Sequence, residues 1–111
     1  MADLIENIPH HEVVVLREAV SVEPGKVNSL TIADQPGCKM VLKAIDKDTG
    51  IDTHTAPGDI IICVLEGTGE VVVENEHNIL EQGQSIVVTK GIPHSVYGIT
   101  AFKMLLIVVK D

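Results

Sequence analysis

A chain of 111 residues has room for one hydrophobic core, so the sequence predicts a single domain over residues 1–111, in which residues 1–25 form an N-terminal arm. The formal net charge of −8 argues against nucleic acid or an anionic membrane surface as a partner, because both need a basic face. The acidic start and the lack of any apolar run near the roughly 20 residues of a membrane span argue against a signal peptide and a membrane anchor.

The apolar residues are mostly Val, Ile and Leu, beside one Phe, one Tyr and no Trp. Side chains branched at Cβ favour strands over helices. The two cysteines, Cys38 and Cys63, are too few for a disulfide scaffold and are not spaced as a Cys-x-x-Cys pair. We therefore expect reduced thiols in a cytoplasmic protein built from strands.

Turn signals recur every eight to twelve residues or so, among them Pro24-Gly25, Asp48-Thr49-Gly50 and Gly67-Thr68-Gly69. The β-rich runs between them predict strands at 12–17, 26–33, 39–46, 59–65, 69–74, 85–89, 94–98 and 101–109. Many short strands at regular spacing are typical of an all-β sandwich or barrel.

The predicted strand at 39–46 has two different faces. One face carries Cys38, Met40, Leu42 and Ala44, and the other carries Lys39 and Lys43. We expect the lysine face to be in contact with water.

The predicted strands near residues 60–65 and 104–109 are apolar on both faces, so their outer side needs a cover. A second subunit would supply it, and this predicts a homodimer. The alternative is that the N-terminal segment with Val13, Val14, Val15 and Leu16 folds across that face within one chain. An arm exchanged between subunits would satisfy both hypotheses.

The stretch 50–98 contains the most informative motifs. A turn reads Val64-Leu65-Glu66-Gly67-Thr68-Gly69, and a later segment reads Gly91-Ile92-Pro93-His94. Together they resemble the two motifs of the cupin superfamily, in particular its small single-domain, conserved-barrel members, from about Lys26 onward. The resemblance implies an all-β fold, a double-stranded β-helix or jelly-roll barrel, whose two sheets enclose a small cavity.

The resemblance also implies a metal site, but this sequence retains half of it. The spacing puts the family's first-motif histidines at His54 and Ala56 and its glutamate at Ile60, while the second-motif histidine is His94. Asp59 is one residue away from the glutamate position, and on a regular strand it would point to the opposite face.

Two histidines alone hold a divalent ion weakly, because a firmly bound ion needs three or four protein ligands. The cofactor implied by the resemblance is a divalent transition metal (iron, manganese, nickel or zinc) on His54 and His94 with a third, unrecognised group. Sulfur from Cys38 or Met40 could serve if their face pointed inward.

The same two histidines have a use without metal. In an apolar cavity lined by Met40, Ile60, Ile62, Val96 and Met104, they could hydrogen-bond an acidic or carbonyl-bearing small molecule or move a proton, as an isomerase or epimerase requires.

Three hypotheses therefore stand. The first is a small-molecule-binding barrel in which His54 and His94 contact the ligand. The second is a metal-dependent dioxygenase or isomerase with a rearranged metal site. The third is a structural or interaction barrel with an inert pocket, in which the histidines satisfy each other or buried water. Fold alone does not decide between them.

Overall fold

The computed structural model describes residues 3–111. Within that range, nine strands form two antiparallel sheets. The strands are β1 Val27–Gln35, β2 Cys38–Ile45, β3 Gly50–His54, β4 Asp59–Glu66, β5 Thr68–Val73, β6 Glu76–Glu81, β7 Ser85–Val88, β8 His94–Gly98 and β9 Phe102–Val109. One three-residue 3-10 helix, Leu16–Glu18, precedes them. Within residues 3–111 there is no helix with the length and apolarity to cross a membrane.

The five-stranded sheet has the order β1-β2-β9-β4-β7, and the four-stranded sheet has the order β3-β8-β5-β6. Several neighbours in the sheets are distant in sequence, as in β2 beside β9 and β3 beside β8. This is the all-β, double-stranded β-helix barrel that the sequence predicts.

The main core lies between the sheets and includes the fully buried Ile45, Ile62, Val71, Phe102 and Met104. Gly69 is required in β5 because the Phe102 ring packs directly over it, and a Cβ atom at that position would lie 2.7 Å from the ring. Phe102 thus fixes the spacing of the two sheets at this point.

A second core lies on the outer face of the five-stranded sheet, under the N-terminal arm. Its buried residues are Val20, Ile32, Leu42 and Ala44, and its partly buried residues include Ile8, Leu16, Val22 and Met40. Backbone contacts anchor the arm, since the Glu6 N–H donates to the Ile32 carbonyl (2.8 Å) and the Lys103 ammonium donates to the Arg17 carbonyl (2.7 Å). The arm therefore covers part of that face within one chain.

The predicted strand at 12–17 is wrong. Leu16 opens the 3-10 helix, and Val13 is 99% exposed. Around Leu16 the arm packs on the face of the sheet, so residues 12–17 have no neighbouring strand with which to pair. The other seven predicted strands are present, with ends that agree within two residues. Strands β3 and β6 were not predicted.

The arm leaves an apolar strip uncovered on the same sheet. In register, Ile61 of β4 lies between Ile107 of β9 and Val87 of β7. Val87 is 63% exposed, and Val109 at the end of β9 is 58% exposed. Among residues 3–111, no segment packs over Val87 or Val109.

Candidate functional site

A cavity of about 360 Å³ opens between the two sheets. Strands β2, β4 and β9 form one wall, strands β3 and β8 form the other, and the loop after β3 forms part of the rim. The lining residues are Lys39, Val41, Lys43, Ile51, His54, Thr55, Ala56, Pro57, Ile60, Ile62, His94, Val96, Met104, Leu106, Val108 and Lys110. This volume is within the range of small-molecule sites.

His54 and His94 lie together at this cavity, as predicted. They are directly paired residues of β3 and β8, and their ring centroids are 4.3 Å apart with the planes tilted by 54°. His94 is 2% exposed, whereas His54 is exposed at the rim. The two motifs of the sequence therefore meet through one strand pairing.

Backbone carbonyls fix the orientation of both rings. Nδ1 of His54 lies 2.8 Å from the carbonyl oxygen of Asp52, and Nδ1 of His94 lies 2.9 Å from that of Ile92. A carbonyl oxygen only accepts, so each Nδ1 carries the proton and each neutral ring keeps its lone pair on Nε2.

Neither Nε2 atom has a hydrogen-bond partner among residues 3–111. No buried side-chain nitrogen or oxygen in that range is left unsatisfied, so Nε2 of His94 opens into the accessible space of the cavity. The two imidazoles therefore present free acceptor atoms to an occupant.

Four of the five predicted apolar lining residues are at the cavity, namely Ile60, Ile62, Val96 and Met104. Met40 is not, and the prediction for it is wrong. Its side chain packs in the second core under the N-terminal arm, because β2 turns its Cys38-Met40-Leu42 face outward. Neither Cys38 nor Met40 can therefore offer sulfur to the cavity.

The reversal of β2 places Lys39 and Lys43 inside the cavity, where the sequence predicted a face in contact with water. Lys110 joins them from the end of β9. The sequence contained one usable signal, which lies in β9 and just beyond it, where Lys110 alternates in phase with Met104, Leu106 and Val108. Which face is inward depends on where the arm packs, and no pattern within β2 contains that information.

Lys43 is half-buried at this cavity. Its ammonium donates to the Ser29 hydroxyl on β1 at 2.9 Å. Burial, and then the positive charge of Lys39, lower the pKa of Lys43 below its ordinary value of 10.5. No acidic side chain lines this cavity in residues 3–111, so the cavity is cationic in a chain of net charge −8.

These residues do not fit a tightly held divalent ion. Asp59 opens β4 on the outer side, where its carboxylate accepts from the Lys90 N–H at 2.8 Å, while Ile60 points inward. Within residues 3–111 no three His, Cys, Asp or Glu side chains are grouped to share an ion. The lysines would also repel a cation. Two imidazoles remain, fewer ligands than such an ion requires.

Solved structures similar to this chain share the whole barrel. A conserved protein of unknown function from Streptococcus pyogenes is 34% identical, with a TM-score of 0.95 over 99% of this chain and 96% of that one. A cupin superfamily protein from Desulfitobacterium hafniense is 20% identical, with a TM-score of 0.92 over 96% of this chain and 98% of that one.

A cupin 2 conserved barrel domain protein from Leptotrichia buccalis is 37% identical, with a TM-score of 0.83 over 85% of this chain and 46% of that one. No curated protein matches the chain. Residues 41–110 match the family model described as "Cupin domain". With that match and the strand order described above, the chain belongs to the cupin family.

Proposed function

We propose that this protein is a small-molecule-binding cupin whose ligand occupies the cavity between the sheets. One observation carries the proposal: His54 and His94 present two free Nε2 atoms beside an apolar cavity of about 360 Å³. Sites for small molecules are commonly apolar concavities in which a few placed polar groups fix the orientation of the ligand.

The cavity suggests how a ligand would sit. Ile60, Ile62 and Met104 offer an apolar surface, and the Nε2 atoms accept hydrogen bonds from a hydroxyl or N–H group of the ligand. The backbone bonds at Nδ1 hold both rings in place before binding, so little side-chain entropy is lost when the ligand arrives.

A thermal-shift screen of small acids and sugars tests this proposal. A ligand that binds the folded chain raises its melting temperature by mass action, by an amount that grows with concentration. The shift is expected to shrink in His54→Ala, whose exposed ring can be removed without opening the core, and in the His54→Ala/His94→Ala double variant. His77→Ala is the matched control, since His77 is exposed and pairs with Glu70 away from the cavity.

Two results would contradict the proposal. One is a screen in which no compound stabilises the wild type. The other is a shift that survives unchanged in His54→Ala and in the double variant.

For the assembly we propose a homodimer that buries the strip of Ile61, Val87, Ile107 and Val109, since exposed apolar strips of this kind mark interfaces. A second copy of the same sheet offers the same uncharged strip, as a two-fold interface requires. Cys38 and Cys63 are free thiols, which supports a cytoplasmic location.

A further inference from the structure

We propose that the ligand of this site is a small organic anion, whose carboxylate or phosphate is held by the cavity lysines Lys39, Lys43 and Lys110 while its apolar body lies against Ile60 and Met104. This inference rests on the proposed function and specifies the class of molecule that the cavity binds.

Strand register places the lysines around one space. Lys39 lies opposite Val108, and Lys110 is two residues beyond Val108 on the same face. Diagonal neighbours of this kind have Cα atoms roughly 7–8 Å apart, and the ladder continues to Lys110, whose N–H donates to the Gly37 carbonyl at 3.0 Å. Lys39 and Lys110 can therefore contact the same acidic group from two strands.

Lys110 also lies beside the loop that links β3 to β4. A Cβ atom on Gly58 would lie 2.8 Å from Cβ of Lys110, and Gly58 belongs to the short loop that follows His54. Lys43 lies four residues from Lys39 along β2, roughly 13 Å between Cα atoms. An anion of moderate length can span from the Lys39 and Lys110 end toward Lys43.

The charge distribution is difficult to explain by stability. The chain has 8 Lys and Arg residues against 16 Asp and Glu, yet three of those eight line a cavity that has no acidic side chain among residues 3–111. None of the three lysines is ion-paired within that range. Asp34 is the register partner of Lys39, but it is exposed and forms no ion pair with it.

Like charges around an apolar cavity cost free energy in the empty protein. The lowered pKa of Lys43 reports that cost, since burial and Lys39 both disfavour its charged form. An anion in the cavity would replace the lost water and offset the repulsion. Lysine suits this task because it is a flexible point charge that adapts to a carboxylate or a phosphate.

Isothermal titration calorimetry with three probes of one shape tests the inference. Phenylacetate carries a carboxylate, phenyl phosphate carries a phosphate, and phenylacetamide is the neutral counterpart of phenylacetate. We expect at least one anion to bind at least about tenfold more tightly than phenylacetamide, which corresponds to about 1.4 kcal/mol. The ratio of the two anion affinities identifies the acidic group.

The Lys39→Met/Lys110→Met variant removes two charges and keeps the apolar stems of the side chains. We expect it to bind the preferred anion at least about tenfold more weakly and to leave phenylacetamide binding unchanged. Lys47→Met/Lys90→Met is the matched control, because it removes the same charge from exposed positions outside the cavity. Circular dichroism establishes that both variants are folded, and Lys39→Gln/Lys110→Gln provides a second pair if the first does not fold.

Anion affinity equal to that of phenylacetamide, or unchanged in the cavity variants, would overturn the anion inference and leave the proposed ligand site standing. Failure of both anions to bind at millimolar concentration would also overturn it. Failure of the proposed function is a separate result, namely the absence of any histidine-dependent ligand in the thermal-shift screen.

Discussion

The imidazoles of His54 and His94 come from separate sequence motifs and lie 4.3 Å apart between ring centroids, because their residues are directly paired across β3 and β8. Each ring donates through Nδ1 to the carbonyl two residues before it. The pair therefore offers two Nε2 acceptors at one place, with no third metal-binding side chain grouped with them among residues 3–111.

This arrangement predicts weak metal binding. Protein purified without a histidine tag is expected to carry less than about a tenth of an equivalent of any transition metal, because two imidazoles beside three lysines give too few ligands and an opposing field. Elemental analysis of the wild type and of His54→Ala/His94→Ala measures this. Near-stoichiometric metal that disappears in the double variant would contradict weak binding, because it would mean that further ligands join the two histidines.

The burial of Lys43 predicts that the folded protein becomes more stable when the charge of this side chain is removed. Its pKa is lower when folded than the ordinary 10.5, so between those two values the unfolded chain binds more protons and the free energy of unfolding rises with pH. The penalty from charged Lys43 is complete below the folded pKa and disappears above 10.5. Lys43→Met is therefore expected to be more stable than wild type at pH 7, by an amount that shrinks at alkaline pH.

Guanidinium denaturation at several pH values measures this difference, and Lys47→Met is the control because Lys47 is exposed. The titratable groups that share the cavity with Lys43 are Lys39, Lys110 and the two histidines, and Asp34 lies across from Lys39. A Lys43→Met variant less stable than wild type at pH 7 would mean that the bond to Ser29 outweighs the cost of burial.

Gly69→Ala is expected to destabilise the fold, since the new Cβ would lie 2.7 Å from the Phe102 ring in the middle of the core. Overpacking of this kind costs about 1–3 kcal/mol, and each kcal/mol lowers the melting temperature of a domain near this size by about 4–8 °C. Gly37→Ala is the matched control, because its Cβ would meet one backbone oxygen at 3.4 Å. Equal melting temperatures for the two variants would contradict the packing described for Phe102.

The barrel could be predicted from the sequence because seven runs of β-branched residues between turns are a local signal. Strand β3 was missed since four of its five residues are exposed and its alternation is weak. Strand β6, from Glu76 to Glu81, was missed because its sequence is mostly polar. The strand predicted at 12–17 is the opposite error, a strand that is absent from the structure. Val13 to Val15 have strand propensity, but they have no strand edge to pair with.

The site was predicted in part. His54 and His94 followed from motif spacing, and they meet because β3 pairs with β8. The expected apolar lining is present at Ile60, Ile62, Val96 and Met104. The lysines were missed because β2 has two plausible inward faces, and the choice between them depends on the distant N-terminal arm. Polarity alone favoured the face of Met40 and Leu42 as the inward one, and that face packs under the arm.

The uncovered strip predicts self-association. Val87→Lys places a charge where Val87 is 63% exposed beside Ile61, and it is expected to shift a homodimer toward monomer in sedimentation velocity. Ile79→Lys is the control, since Ile79 is 61% exposed on the other sheet. A wild-type chain that is monomeric at tens of micromolar would contradict the dimer.

The most direct test of the ligand site is a map of amide chemical shifts in a phenylacetate titration, with phenylacetamide as the neutral reference. The account predicts saturable shifts at His54, Ile60, His94 and Met104 around the cavity, and none at Val87 or Ile107 on the outer face. Saturable shifts confined to the outer face would contradict the ligand site, and no shifts at all would contradict its assignment to an organic anion.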